Sequence, residues 1–195
     1  VLPRVSRMGA FSAFSTMLAS GSTDNMAVVR AVVGGSPLLV ARKGDAAPGT
    51  FGGKFATFLN EAVSQNGTVV LRATLSGASS SANEGIWTTD SAGMNLRLAL
   101  RKGNPAPALP PTVTISRLLQ LHQFLNGDLM IQAALRGPGV SRSNDQAVWI
   151  YNPTYGFRLL AREGDLAPGT GGARYGSFQN ANAGLYDLYL LSASL

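Results

Sequence analysis

The sequence predicts an all-β protein of propeller-like tandem repeats, each about 60 residues long and made of four antiparallel strands. Three observations carry that expectation. The segment LVARKGDAAPGT (residues 39–50) returns as LALRKGNPAP (98–107) and again as LLAREGDLAPGT (159–170). Short apolar runs rich in β-branched residues alternate with Asn-Gly, Pro-Gly and Ser-rich stretches, which is turn chemistry. Helical periodicity is nearly absent. Only residues 116–125 could pass for a helical turn, and their place in the repeat predicts a strand.

The repeat extends well beyond that block. Phe55, Ile115 and Tyr175 are spaced by 60, as are Phe58, Leu118 and Phe178. Leu75, Leu135 and Leu195 keep the same step, with Leu18 slightly closer ahead of them. A further block reads DNMAVV (24–29), ANEGIW (82–87) and NDQAVW (144–149). Blocks in constant order imply one supersecondary unit per copy, each burying its apolar face only against its neighbours.

Taken in order, the first strand of a copy covers residues 54–59 and carries the spaced pair Phe55 and Phe58. The second covers 68–75 after Asn66-Gly67, matched by 128–135 after Asn126-Gly127, a hairpin signal in both copies. The third covers 85–89, matched by 147–151, and the fourth 96–101, matched by 157–162. Pro48, Pro107 and Pro168 close each fourth strand, because proline cannot donate to a ladder. A β-solenoid would use shorter repeats, and a sandwich needs no such self-similarity.

One repeat domain spans residues 1–195, with copies at approximately 1–50 (partial), 51–110, 111–170 and 171–195 (partial). About thirteen strands make roughly three and a quarter blades, whereas propellers close with about four to eight. The expectation is therefore a partial propeller, starting inside a repeat near Ala10 and ending on a second strand at Leu195. Truncation, an open arc, or self-association of two copies to complete a ring would each account for it. The chain opens at Val1 without a signal peptide, as a mature product or an excised piece does.

Composition bounds the partners. The chain is 45% hydrophobic and 13% charged, enough for a core and too apolar for disorder. Its net charge of +6 is scattered, without the clustered basic and aromatic residues of a nucleic-acid groove, so no nucleic acid is expected. There are no cysteines, which excludes disulfides and thiolate metal sites. No apolar stretch reaches the length of a membrane span.

The blocks NEGIW (83–87) and AREGDLAPGT (161–170), with the glycine-then-apolar second strand, resemble a family of bacterial tandem-repeat proteins. That family is the choice-of-anchor type, named for an Asn-x-x-Gly-x-x-Ala-Phe motif and often carrying a carboxy-terminal surface anchor. The naming motif departs here: SAF (12–14) keeps its end, while VVL (69–71) and LMI (129–131) keep only apolar character. The resemblance implies an exported or surface-displayed β-repeat protein of undefined activity. It carries over no catalytic residue.

Most recurrent polar residues read as turns. The Gly-Asp of Gly44-Asp45 and Gly164-Asp165, with Gly103-Asn104, suits a backbone-bonded turn. Asp24-Asn25, Asn83-Glu84 and Asn144-Asp145 place oxygen ligands on loops, which leaves Ca²⁺ as an alternative to no cofactor. Trp87 and Trp149 share a position that Val29 fills in the first copy, which favours packing over sugar stacking. Trp149, Tyr151 and Tyr155 remain the candidate ligand-binding aromatics, with Phe157 beside them. His122, Asp128 and Glu61 are the main non-repeated residues that an active site could use, and no nucleophile motif accompanies them.

These readings converge on a non-catalytic structural or interaction module of an exported or cell-surface bacterial protein. It would bind a protein or glycan partner through its loops. The alternatives are a fragment of a secreted propeller enzyme acting on polysaccharide, and a calcium-stabilised adhesin.

Overall fold

The computed structural model describes residues 4–5, 10–17, 24–183 and 189–194, all strand, turn or loop, with no helix among them. Leu18 and Leu195 lie outside the described residues. The strands form three four-stranded antiparallel sheets and one of two strands, and within each sheet the order is the chain order. The first sheet holds β1 (Arg4–Val5), β2 (Phe11–Met17), β3 (Met26–Val32) and β4 (Leu38–Arg42). The second holds β5 (Lys54–Val63), β6 (Val69–Ser76), β7 (Glu84–Thr88) and β8 (Arg97–Arg101). The third holds β9 (Thr114–Gln123), β10 (Leu129–Arg136), β11 (Gln146–Asn152) and β12 (Gly156–Arg162), and the last β13 (Phe178–Ala183) and β14 (Tyr189–Ala193). Two compact units contain them: Val1–Arg101 with Leu125–Gly127, and Lys102–Phe124 with Asp128–Leu195.

The expected strands are present, with the first strand longer than its sequence suggested in the second and third copies, ten residues in both β5 and β9. The reason is a pair of bulges. Opposite β6, Ala56 and Leu59 are the unpaired extra residues of β5; opposite β10, Ser116 and Leu119 play the same part in β9. Gln179 repeats the second bulge in β13. An extra residue lets side chains three apart face one way. Phe55 and Phe58 are accordingly both buried, and so are Ile115 and Leu118. Residues 116–125 looked faintly helical because a doubly bulged strand has apolar spacing of three.

A third bulge recurs in the fourth strand. The register shifts between Val28 and Val29, between Ile86 and Trp87, and between Val148 and Trp149, leaving Val40, Ala99 and Leu160 unpaired. Register, bulge and core position therefore repeat together.

In the first unit the first two sheets share one core. Ala13, Val28 and Ala41 from the first sheet pack with Phe55, Phe58, Leu71 and Trp87 from the second. Phe55 lies edge-on to Trp87 with centroids 5.0 Å apart, an attractive aromatic geometry. In the second unit Met130, Val148, Ile150 and Ala161 of the third sheet form a core with Phe178 of the last. The residues that meet the following sheet are repeat equivalents: Val28 and Ala41 in one unit, Val148 and Ala161 in the other. The middle strands of the second and third sheets are the most buried, and every residue of β10 except Arg136 is buried. Burying a Leu, Ile, Val or Phe side chain contributes about 1.5–3 kcal/mol, so these strands carry most of the stabilisation.

Candidate functional site

The repeated Gly-Asp block joins a fourth strand to the next first strand by backbone bonds. Gly44, Gly103 and Gly164 donate N–H to the carbonyls of Phe55, Ile115 and Tyr175, each at 2.8 Å. Phe55, Ile115 and Tyr175 donate in return to the carbonyls of Asp45, Asn104 and Asp165 at 3.0, 2.9 and 2.9 Å. Ala47, Ala106 and Ala167 add a third rung, to Gly53, Val113 and Ala173. The glycine is required on two counts. At Gly164 φ is +83°, and a Cβ there would lie 3.1 Å from the Ser143 carbonyl oxygen.

The tryptophans fasten to the same linkers. Trp87 Nε1 donates to the Pro48 carbonyl at 3.0 Å, and Trp149 Nε1 to the Pro107 carbonyl at 2.8 Å. Both rings are fully buried. The expected cluster of candidate aromatics is thereby divided. Trp149 and Tyr151 lie inside, Tyr151 with its ring 4.7 Å from that of Phe157, and Tyr155 alone is exposed, at 89%. Trp149 cannot offer a stacking face, because solvent reaches neither side of the ring.

The remaining candidates are dispersed. His122 sits in β9 opposite Met130, where burial holds its imidazole below the ordinary pKa. Asp128 is buried and accepts a 2.5 Å hydrogen bond from Asn152 Nδ2. Glu61 is buried in β5 of the other unit. Of the loop oxygens offered for Ca²⁺, Asp24 is paired with Arg42 at 2.8 Å, and Asn144 Oδ1 accepts from the Ser141 amide at 2.7 Å. Among the described residues no three His, Cys, Asp or Glu side chains group as a metal site.

The feature that sequence reading missed lies in the second unit, where the third copy departs from the others. A cavity of about 550 Å³ opens between the loop at Arg142–Asn144, the turn at Arg162–Asp165 and the chain at Arg174–Ser177. Glu163 stands there where Lys43 and Lys102 stand in the earlier copies. Its amide makes the repeated bond, donating to Gln146 O at 3.0 Å as Lys43 does to Met26 O at 2.8 Å. Its side chain is only 4% exposed, and Oε2 has no hydrogen-bond partner. Desolvation raises its pKa to about 6, helped by a hydrogen bond and charge from Asp145.

Arg162 departs in the same way. Its equivalent Arg42 bonds Asp24 twice, from Nε to the carbonyl at 3.3 Å and from Nη2 to the carboxylate at 2.8 Å. Arg162 keeps only the first contact, from Nε to the Asn144 carbonyl at 3.0 Å. The Asn144 side chain is turned away, donating from Nδ2 to Gly139 O at 3.0 Å. Arg174 Nη1 donates to Gly164 O at 2.6 Å and closes the opposite wall. The signal available in the sequence was the charge reversal at 163 within an otherwise constant block.

The chain belongs to DUF7453, a family of unknown function, which matches residues 4–185. No curated protein matches it. No helix among the described residues is long and apolar enough to cross a membrane.

Proposed function

We propose that this chain is a propeller-type scaffold from an exported, surface-displayed bacterial repeat protein, and that it binds a protein or glycan partner at its loops without turning it over. One observation carries the reading. Residues common to the copies build the backbone rungs, tryptophan anchors and cores, and the cavity of the third copy sets three of them, Arg162, Gly164 and Asp165, beside Glu163, where the earlier copies have lysine. A scaffold repeats; a binding site on it is local.

The propeller form is supported by three four-stranded meanders in chain order, and by a core in each unit that joins one meander to the next sheet through repeat-equivalent residues. Export and display rest on the choice-of-anchor resemblance of residues 83–87 and 161–170.

The test is a panel of immobilised glycans and candidate surface proteins, with the soluble products analysed after incubation. Retention of a ligand with no shortened saccharide released is the expected result. Release of cleaved product would replace this reading with the polysaccharide-active enzyme.

A further inference from the structure

We infer that the cavity around Arg162 and Glu163 binds a monoanionic, hydroxyl-rich ligand, a sugar bearing a carboxylate. The inference deepens the loop-binding reading above and rests on it. Its first support is charge. Arg142, Arg162 and Arg174 share the cavity lining with Glu163 and Asp165, and Asp145 adds its charge beside Glu163. Three guanidinium groups stand against three carboxyls, so a dianion such as a phosphate ester would be repelled more than a single carboxylate, which needs only one guanidinium.

The second support is unused bonding capacity. Arg162 holds no carboxylate among the described residues, although its equivalent Arg42 does, so its terminal nitrogens can form the two-pronged bond that guanidinium makes with carboxylate. Glu163 Oε2 is a buried acceptor without a donor, a costly state that a ligand hydroxyl would relieve. Burial also keeps a proton on this carboxyl to higher pH, which weakens its repulsion of an incoming anion. Tyr175 is half-buried on the lining, 5.8 Å from Phe178, and adds an apolar side chain to a wall otherwise polar and charged. The volume of about 550 Å³ lies within the usual small-molecule range of roughly 300–1,000 Å³.

The test is calorimetric titration of the full chain with methyl galacturonoside, a sugar with one carboxylate, and, separately, with neutral methyl galactoside. Saturable binding of the acidic sugar is expected, with the neutral one weaker by about tenfold or more. Arg162→Met should weaken methyl galacturonoside binding by about tenfold or more, and Arg42→Met, at the equivalent position, by less than about twofold. Arg142→Ser, on an exposed side chain, serves as a second variant should Arg162→Met fail to fold, with a loss of about threefold or more. Equal affinity for both sugars, equal losses in the Arg42 and Arg162 variants, or no binding of methyl galacturonoside would overturn the assignment. The loop-binding reading itself falls only if the wider glycan and protein panel is also blank.

Discussion

The indole N–H of Trp149 donates to the carbonyl oxygen of Pro107 at 2.8 Å, forty-two residues back, and ties the third strand of a copy to the linker that precedes it. Proline supplies no N–H, but its carbonyl is free to accept, and the loop places it over the indole edge. Trp87 makes the same bond to Pro48. The pair ties each connector to a fully buried ring.

Replacing that tryptophan separates packing from hydrogen bonding. Trp149→Ala should cost about 3–5 kcal/mol, through loss of a fully buried ring. Trp149→Phe should cost less, about 1–3 kcal/mol, much of it the unsatisfied Pro107 carbonyl. Urea unfolding measures both. A cost below about 1 kcal/mol for the alanine variant would mean that the ring is not buried as described.

The two turn glycines should differ in cost. Gly164 and Gly171 both have positive φ, +83° and +71°, yet a Cβ at Gly171 meets nothing within 4 Å. Gly171→Ala is expected to cost about 1–2 kcal/mol, the ordinary left-handed penalty. Gly164→Ala should exceed it by about 1 kcal/mol, because the Ser143 carbonyl must move. Equal thermal shifts would show that the approach of this loop to the turn is not tight.

Equivalent positions should also be exchangeable as pairs. Arg72 Nε donates to Glu84 Oε1 at 2.5 Å across the second sheet, and Gln132 Nε2 to Gln146 Oε1 at 2.9 Å across the third. Each single change, Arg72→Gln or Glu84→Gln, leaves a partly buried charge and should cost about 1–3 kcal/mol. The double variant recreates the third copy's pair and should come within about 1 kcal/mol of the parent. Additive losses in a double-mutant cycle would refute the equivalence.

How much of this was legible follows from the physics of each feature. The repeat, the four strands per copy and the hairpin at Asn66-Gly67 were readable, because turn chemistry and strand patterning are local. The bulges at Ala56 and Leu59 were not, because an unpaired residue is defined by its partner strand; their trace was the unexplained spacing of Phe55 and Phe58. The cavity was hidden for a related reason. Arg142, Glu163 and Arg174 are brought together only when a loop and two turns meet, and solvent exclusion at Glu163 leaves no mark on composition. Trp149 illustrates the reverse case: its replacement by Val29 in the first copy already favoured a packed ring over a stacking one.

Glu163 makes stability depend on pH. Its proton is held in the folded protein to about 6, while the same group in the unfolded chain titrates near 4.5. Unfolding therefore releases protons between those values, and stability falls as pH rises through that window, by about 2 kcal/mol in total. Glu163→Gln should remove this slope, matching the parent near pH 4 and melting higher than it above pH 6.5 or so. Parallel melting curves across pH would show that Glu163 is solvated in the native state.

The equivalence of the copies can be read at single amides. Hydrogen exchange followed by two-dimensional NMR would report on Gly44, Gly103 and Gly164, whose N–H groups are bonded to Phe55, Ile115 and Tyr175 at one common distance. All three should be strongly protected relative to exposed loop amides such as that of Phe51. Rapid exchange at any of the three, with protection at the others, would mean that the repeated block does not build the same structure in each copy.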